Sequence, residues 1–510
     1  MRAVNRPATA DAKPPELPFW TWALAATVFI TLARMLAMRV SPLGLSPDEA
    51  QFWLWSRTLE PGYLSKPPLI AWIIRLATLG GDAESFVRLP SPLLHAATGL
   101  FLYGVGRRLY GGATGLFALL VYQLTPAVQI GAFVITTDTP LLAGLSAALL
   151  AYVSIQTASG RARLAAAAAL GLALGLAFLA GYSALYAVAG VGLHLALSRE
   201  ARRAWRPAAA LLAVAVFAVT ISPNVIWNVQ NGYASLGHLA GEAGWGRRPG
   251  GPLPALAFLA WQLAAFGPVL FLVLTGGAIW LGWRRRLKAE DKVLLAWTLP
   301  ALASVLAQAL IAGAQPDWAA AACAPGSVLV AAWMLRWRRP RVLGGLLAVH
   351  ALVLALVLTG QDKPQLLDHI GLSAALKDLR GGRDLTQDIV SRAQIEIATG
   401  DQLSAVAIDD RALFNIAAYY GRDFFGREGP PLKAWRAGPI PRSEGELVSP
   451  LTPAFGARVL MVSRNGANTT AMQAQFRHAD PVSISELWTG PAQSVSLDMF
   501  VGDGFSPAKR

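Results

Sequence analysis

Acidic and basic side chains with the potential for group-transfer chemistry cluster between two apolar stretches of the sequence. The cluster comprises LSPDEAQFWLWSR at 45–57, GYLSKPP at 62–68 and VRLP at 87–90. A carboxylate such as Asp48 or Glu49 can take the proton of an attacking hydroxyl. The cations Lys66 and Arg88 can stabilise negative charge on a departing group. The pattern therefore places candidate bases and cations together in one segment.

The same acids also fit a purely structural role. Ser46, Pro47 and Glu49 occupy the N-cap, first and third positions of a capping box, which predicts that a helix begins here. Asp48 and Glu49 would then be acids favoured by the positive end of the helix dipole. Spacing alone leaves both interpretations open.

Two short helices are expected in this segment, joined by a hinge that contains Lys66 and the two prolines. The first has an apolar, tryptophan-rich side and is predicted to lie along the outer membrane interface. The second begins after Pro68 and runs through Trp72 toward Leu79. The apolar side of the first helix consists of Phe52, Trp53, Trp55 and Leu59.

A third acid occurs in ITTDTP at 135–140, at the predicted outer start of an apolar span. Asp138 or Thr139 could cap that helix, with Pro140 in its first turn. An ionisable residue near membrane depth is also costly unless it faces a polar cavity. Asp138 is therefore either a cap or a member of the same site as Asp48.

The composition of the sequence predicts the helices that position these acidic and basic side chains. Of the 510 residues, 54% are apolar and 15% are charged, and the apolar residues fill repeated stretches between about Phe19 and Gly360. Stretches of about 20 apolar residues predict membrane-spanning helices. We expect a polytopic α-helical membrane protein with about eleven spans, near residues 20–40, 87–106, 113–132, 139–157, 164–180, 182–198, 207–224, 254–282, 292–313, 317–335 and 342–360.

The net charge is +14, but the positions of the basic residues exclude nucleic acid as the explanation. Basic clusters, such as Arg107–Arg108 and those at 199–206 and 284–288, occupy short breaks between apolar stretches. The positive-inside rule assigns such breaks to the cytoplasm. Residues 41–86, which hold Asp48 and Lys66, are then outside, as is everything after 361.

The last part, residues 362–510, has the composition of a soluble domain. Short apolar runs at 405–408 and 459–462 predict strands, and 412–420 predicts a helix. We expect a small α/β domain beyond a transmembrane domain at 1–361. No catalytic constellation is visible in it.

Metal and nucleotide chemistry have little support. His238 and Glu242, four residues apart in a predicted external loop, could share a helix face and bind a divalent metal, but two ligands do not make a site. The single cysteine, Cys323, excludes a cysteine-based metal cluster. The sequence shows no phosphate-binding loop or dinucleotide fingerprint, which argues against a nucleotide sugar. No cofactor is therefore predicted with certainty.

These motifs together resemble the bacterial branch of the protein O-mannosyltransferase superfamily, which has the GT-C fold and includes lipid A aminoarabinose transferases and rhizobial galacturonosyltransferases. The similar words, in chain order, are SPDEA at 46–50, KPP at 66–68, VRLP at 87–90, TDTP at 137–140, WN at 227–228 and DWAA at 317–320.

The resemblance implies an inverting glycosyltransferase in a bacterial inner membrane. Its donor would be a polyprenyl-phosphate-linked sugar and its acceptor an envelope glycolipid, polysaccharide or protein on the periplasmic side, with membrane lipid around it. Asp48, Glu49 and Asp138 are the predicted catalytic residues. The predicted substrate contacts are Tyr63, Lys66, Arg88, Trp227 and Asn228.

The sequence departs from many relatives in two places. Where they have an acid and a histidine before the paired prolines, this chain has Ser65 and Lys66, and where they often carry a lysine it reads LAGY at 179–182. A polymerase or ligase of lipid-linked oligosaccharides and a lipid flippase or transporter are the alternatives. The flippase is the less favoured of the two, because no internal repeat is visible.

Overall fold

The computed structural model describes residues 18–242, 250–313, 315–400, 402–491 and 493–507. Up to residue 362 these form helices. They are α1 (Phe19–Val40), α2 (Pro47–Trp55), α3 (Leu69–Ala77), α4 (Glu84–Arg88), α5 (Pro90–Tyr110), α6 (Gly112–Leu124), α7 (Pro126–Gly131), α8 (Asp138–Thr157), α9 (Gly160–Ala180), α10 (Leu185–Leu197), α11 (Arg199–Ala204), α12 (Pro207–Gln230), α13 (Ala234–Glu242), α14 (Pro252–Phe266), α15 (Pro268–Trp283), α16 (Ala289–Ala312), α17 (Cys323–Arg336) and α18 (Pro340–Asp362). Short 3₁₀ helices include Thr78–Gly80, Tyr182–Ala184 and Pro316–Ala322.

The fold class predicted from composition is confirmed, although the number of spans is not. Within the described part of the chain, seven helices are long and apolar enough to cross a membrane, or eight if the bent pair α14 and α15 forms one span. Three predicted spans differ, because α5 is too polar, α10 has only 13 residues, and the third span breaks between α6 and α7. A count of eleven therefore stays a prediction.

The first loop starts its two helices where the sequence predicted them. The Ser46 N–H donates to Glu49 Oε2 at 2.9 Å, and the Glu49 N–H donates to Ser46 Oγ at 3.3 Å, which completes the capping box before α2. The second helix, α3, follows Pro68 and continues through the 3₁₀ turn Thr78–Gly80.

The surroundings of α2 differ from the prediction. Phe52, Trp53 and Trp55 are buried and pack in one cluster with side chains of α3 and of the C-terminal domain. The expectation that this apolar side lies along the membrane interface was wrong, because protein rather than lipid covers it. Leu59 alone of the four predicted residues is exposed.

The C-terminal part is the predicted α/β domain. Its sheet has the order β2-β1-β3-β5-β4, in which β1 is parallel to β2 and β3 while β5 is antiparallel to β3 and β4. The predicted strands at 405–408 and 459–462 are β1 and the centre of β3. The elements are α19 (Pro364–His369), α20 (Gly382–Thr399), β1 (Ala405–Ile408), α21 (Arg411–Tyr420), β2 (Leu432–Ala434), α22 (Glu444–Val448), β3 (Arg458–Arg464), α23 (Thr469–Gln473), β4 (His478–Gly490) and β5 (Gln493–Asp503).

Side-chain alternation gives this sheet two apolar faces. Val406, Ile408, Leu460 and Val462 join a core with residues of α20 and α21. Ala405, Ala407, Val459 and Met461 point to the opposite face and a second core. Burial on both faces is typical of strands at the centre of an α/β sheet, and it fixes α21 against the sheet with its outer side toward the first loop.

Candidate active site

Asp48 lies at the start of α2 with its carboxylate open to solvent. Its side chain is 63% exposed, and Oδ1 accepts a hydrogen bond from Arg411 Nη2 at 3.2 Å. Arg411 is the first residue of α21 in the C-terminal domain. The carboxylate predicted to act as a base is therefore accessible from outside the protein and faces a guanidinium from the other domain.

Glu49, the neighbouring acid, has a different environment. Its buried carboxylate accepts hydrogen bonds from the backbone N–H of Ser46 and of Ile135, the latter at 3.1 Å. It also accepts two from Arg88, from Nε and Nη2, each at 2.8 Å. With a side-chain exposure of 1%, Glu49 offers no surface to a substrate, so the geometry does not fit its predicted catalytic role.

Arg88 is likewise buried in structural contacts. Besides Glu49, its guanidinium donates to Leu43 O at 3.1 Å and to Gly44 O at 2.6 Å, and it lies over the Phe133 ring at 4.5 Å from the centroid. A bidentate pair with these additional partners satisfies a buried arginine. The predicted contact of Arg88 with a donor phosphate does not fit this placement.

The buried pair joins two of the sequence motifs. Glu49 binds the backbone at Ser46 and at Ile135, which is three residues before Asp138. The segments that carry Asp48 and Asp138 are thereby tied to one carboxylate, while Arg88 ties the preceding residues, Leu43 and Gly44, to the same point. Glu49 and Arg88 therefore position the loop that holds Asp48.

A cavity of about 260 Å³ lies among the membrane helices at the start of α8. Its wall is mostly apolar, including Val134, Leu142, Phe266, Phe271 and Leu274. Two carboxylates, Asp138 and Asp317, also line it, together with His95 and Gln262. An apolar chamber with a few polar groups is the usual form of a small-molecule or lipid site.

Lys66, on the first loop, interacts electrostatically with one of the acids that line this cavity. Its ammonium and the Asp317 carboxylate both act electrostatically on Asp138. The KPP, TDTP and DWAA words, which are far apart in the sequence, therefore converge on one place. The sequence analysis placed Asp138 either as a cap or in one site with Asp48; Asp48 does not line this cavity, and a shared site of the two acids stays a prediction.

Several contacts hold the loop that carries Lys66. Asn224 Nδ2 donates to Pro61 O at 2.9 Å, Ser235 Oγ donates to Tyr63 O at 2.7 Å, and the Leu64 N–H donates to Glu444 Oε2 at 2.8 Å. These partners come from α12, α13 and the C-terminal domain. Burial raises the pKa of the Glu444 carboxyl, and the hydrogen bond from Leu64 opposes that rise.

Tyr63 is a structural member of the loop. Its ring stacks on Trp55 with centroids 4.5 Å apart, its hydroxyl donates to Trp55 O at 2.9 Å, and it is 1% exposed. Burial raises the pKa of Tyr63 to about 12, so the phenol stays protonated at neutral pH. Its predicted contact with substrate does not fit these surroundings.

Trp227 and Asn228 also act on the loop from α12. A Cβ at Gly62 would lie 2.5 Å from a Trp227 ring carbon, so the ring packs on the loop where only glycine fits. Asn228 is buried and donates to Asn224 O at 3.0 Å and to the Tyr182 hydroxyl at 3.3 Å. Trp227 packs on the Lys66 loop and Asn228 supports Asn224, which binds that loop, while their contact with substrate stays a prediction.

The possible metal pair lies on one helix, as its spacing suggested. His238 and Glu242 both belong to α13, although the side chain of Glu242 is outside the described residues. Among the side chains that the structure describes, no group of three or more histidines, cysteines and acids could hold a metal ion.

Two residues of the site escaped the sequence analysis. Asp317, to which the sequence analysis assigned no role, lies in the 3₁₀ helix Pro316–Ala322 and lines the cavity with Asp138. The DWAA word was the available signal for it. Arg411 had no signal at all, since its contact with Asp48 spans 363 residues and depends on how the two domains pack.

A polytopic helical protein with an exposed carboxylate on its first loop, an apolar chamber among its helices and a sheet domain against that loop has the features of a membrane glycosyltransferase. The sequence model of the dolichyl-phosphate-mannose-protein mannosyltransferase family matches residues 65–227. Lipid A galacturonosyltransferase RgtD of Rhizobium johnstonii is 31% identical over 395 residues, which cover 77% of this chain and 81% of the relative. The chain belongs to this family of membrane glycosyltransferases.

Solved structures agree on the fold. The crystal structure of ArnT from Cupriavidus metallidurans in its apo state superposes with a TM-score of 0.64 at 17% identity, covering 94% of this chain and 98% of ArnT. The same protein bound to undecaprenyl phosphate gives a TM-score of 0.63 with the same coverage. The similarity includes the C-terminal domain as well as the membrane helices. The flippase or transporter alternative is therefore not supported.

Proposed function

We propose that this chain transfers a sugar from a polyprenyl-phosphate donor to a glycolipid of the bacterial envelope, on the periplasmic side of the inner membrane. The observation that carries the proposal is the apolar cavity that Asp138 and Asp317 line, with Lys66 in electrostatic interaction with Asp138. The names of two similar proteins support it, one a lipid A galacturonosyltransferase and the other ArnT with bound undecaprenyl phosphate.

The donor fits the cavity by its two chemical parts. Isoprenoid carbons are apolar and favour the Val, Leu and Phe side chains of the wall. The phosphate requires a cation at the membrane surface, and Lys66 supplies an ammonium where the loop meets α8. Asp138 and Lys66 interact electrostatically, and this attraction favours an ammonium held toward the start of α8.

The transfer step then needs a base and a charged leaving group. An acceptor hydroxyl oxygen bonds to the anomeric carbon while the bond from that carbon to the phosphate oxygen breaks. The electron pair of the broken bond leaves with polyprenyl phosphate, beside Lys66. Asp48 takes the hydroxyl proton, and its exposure leaves room for a bulky acceptor. Direct displacement inverts the anomeric configuration.

Replacement of Lys66 tests the donor site. Lys66→Ala should raise the KM for the lipid-phosphate donor by about 10- to 100-fold, as expected for a charge-assisted hydrogen bond of roughly 1.5–3 kcal/mol. Lys66→Arg keeps the charge and should recover part of the affinity. The measurement is initial transfer rate against donor concentration with purified protein in detergent.

Arg75→Ala is the matched control, because Arg75 is an exposed cation of α3 in the same loop. It should leave the KM for the donor unchanged. An unchanged KM in Lys66→Ala as well would place the phosphate elsewhere and remove the donor part of the proposal.

Sidedness can be tested with cysteine labelling, since the chain has one cysteine, Cys323. In a Cys323→Ala background, a membrane-impermeant maleimide added to the periplasmic side should label Ser65→Cys and Ile440→Cys but not Ala289→Cys. Ile440 is 77% exposed in the C-terminal domain. Because that domain contacts the first loop through Arg411 and Glu444, the first two sites must agree. The reverse pattern would put the site in the cytoplasm and overturn the proposed orientation.

A further inference from the structure

Helix α21 of the C-terminal domain lies against the first helix of the catalytic loop, α2. The Trp53 and Tyr419 rings meet edge to face with centroids 5.0 Å apart. Asn415 Nδ2 donates to Gln51 Oε1 at 3.3 Å, and both of these side chains are buried. The interface therefore combines aromatic packing with a buried hydrogen bond between two amide side chains.

The C-terminal end of α21 holds the backbone that leads into the loop. The Tyr420 hydroxyl accepts from the Leu45 N–H at 2.7 Å and donates to Glu84 Oε1 at 2.6 Å. The Gly44 N–H donates to Leu379 O at 2.9 Å, and a Cβ at Gly44 would lie 2.6 Å from the Tyr420 hydroxyl oxygen. The C-terminal domain thus fixes Gly44 and Leu45, just before Ser46.

The N-terminal end of α21 holds the carboxylate itself. Arg411 Nη2 donates to Asp48 Oδ1 at 3.2 Å, while Nη1 donates to Gln51 Oε1 at 2.9 Å. Gln51 is buried and Asn415 holds it from the second side. The Asp410 side chain accepts a hydrogen bond from the Leu413 N–H at 2.8 Å and caps α21. The cap fixes the start of the helix and therefore the position of Arg411. One guanidinium therefore links the exposed acid to an anchored amide.

We propose that Arg411 is a positioning residue for Asp48, so that the C-terminal domain completes the active site. This inference rests on the proposed function, in which Asp48 takes the acceptor proton. A carboxylate at a helix start can rotate about two side-chain bonds, and proton transfer requires one orientation. The planar guanidinium suits this task, because its fork binds Gln51 and Asp48 at once. An ion pair as exposed as this one adds little to stability.

Substitution of Arg411 should change the rate and not the binding of donor. Arg411→Ala is expected to lower kcat by about 10- to 100-fold, the scale on which a displaced catalytic group affects rate, with the KM for the donor and the unfolding temperature unchanged. Arg411→Lys reaches Asp48 with a single charged group and should restore part of kcat. Arg427→Ala removes an exposed arginine from the same domain and should behave as wild type.

The Asp48→Asn background separates positioning from general damage. If Arg411 acts through the Asp48 carboxylate, Arg411→Ala should not lower the residual rate of Asp48→Asn further. A wild-type kcat in Arg411→Ala, or an equal additional loss in the Asp48→Asn background, would overturn the role of Arg411. In both cases a large loss in Asp48→Asn alone would leave the proposed function standing. A wild-type rate in Asp48→Asn would instead remove the proposed function and this inference with it.

Discussion

Asp48→Asn is expected to reduce the transfer rate by about a hundredfold or more, the usual scale of general base catalysis. Asparagine is nearly as good as aspartate at a helix start, so α2 should still form. Its amide oxygen can still accept a hydrogen bond from Arg411, but the amide cannot take a proton from the acceptor. The measurement is kcat of the purified variant, together with its unfolding temperature and its affinity for the donor.

Glu60→Gln provides the matched control for Asp48→Asn. Glu60 is an exposed acid of the same external loop, so the change removes one negative charge without touching the capping box. It should keep the wild-type rate. A folded Asp48→Asn protein that transfers sugar at the wild-type rate would show that Asp48 is not the base and has only a structural role in the first turn of α2.

The sequence presented capping and chemistry as alternatives for Asp48 and Glu49; the structure buries Glu49 in the capping box and leaves Asp48 exposed to solvent. The capping box was predictable because it depends on residues three positions apart. The pairing of Glu49 with Arg88 was not, because it joins residues 39 apart and requires both to be buried. Sequence spacing shows that an acid begins a helix, whereas burial decides whether its carboxylate can reach a substrate.

Periodicity has the same limit in α2. The apolar, tryptophan-rich side was visible in the sequence, and its residues are buried as their composition suggested. The sequence did not show whether lipid or protein covers these side chains, since both environments favour apolar residues. The strands β1 and β3 were easier to predict, because a short run of consecutive apolar residues is a local property of the sequence. Their connection to the catalytic loop through α21 is not local.

Hydropathy located most apolar segments but could not predict how they bend. The predicted span at 254–282 is two helices that meet at an angle of 115°. Gly267, at the junction, has φ of 93°, a conformation that glycine adopts without strain. Among the described residues, the nearest heavy atoms to a Cβ at this position would be those of His350, one of them at 2.4 Å. Glycine is therefore required at this position, both because of its backbone conformation and because a side chain would collide with His350. Neither requirement can be inferred from the length of the apolar segment.

Arg88→Met should destabilise the protein far more than it changes donor affinity. Removing one member of a buried, hydrogen-bonded ion pair leaves the other charge without compensation, at a cost of roughly 3–5 kcal/mol. Here the uncompensated group would be the Glu49 carboxylate, which is 1% exposed. We expect the free energy of unfolding in detergent to fall by that amount. Any protein that remains folded should keep a donor KM near that of wild type.

The double variant Glu49→Gln with Arg88→Met distinguishes the pair from two independent contacts. It removes both charges, so its loss of stability should be smaller than the sum of the two single losses, with a coupling of about 1–3 kcal/mol. Arg383→Met is the control, because Arg383 is half exposed in its pair with Glu84, and such a pair should contribute about 1 kcal/mol or less. If Arg88 bound the donor phosphate instead, Arg88→Met would raise the donor KM at unchanged stability and the two substitutions would be additive. That result would support a contact of Arg88 with the donor phosphate. It would contradict the role of the Glu49–Arg88 pair in positioning the loop.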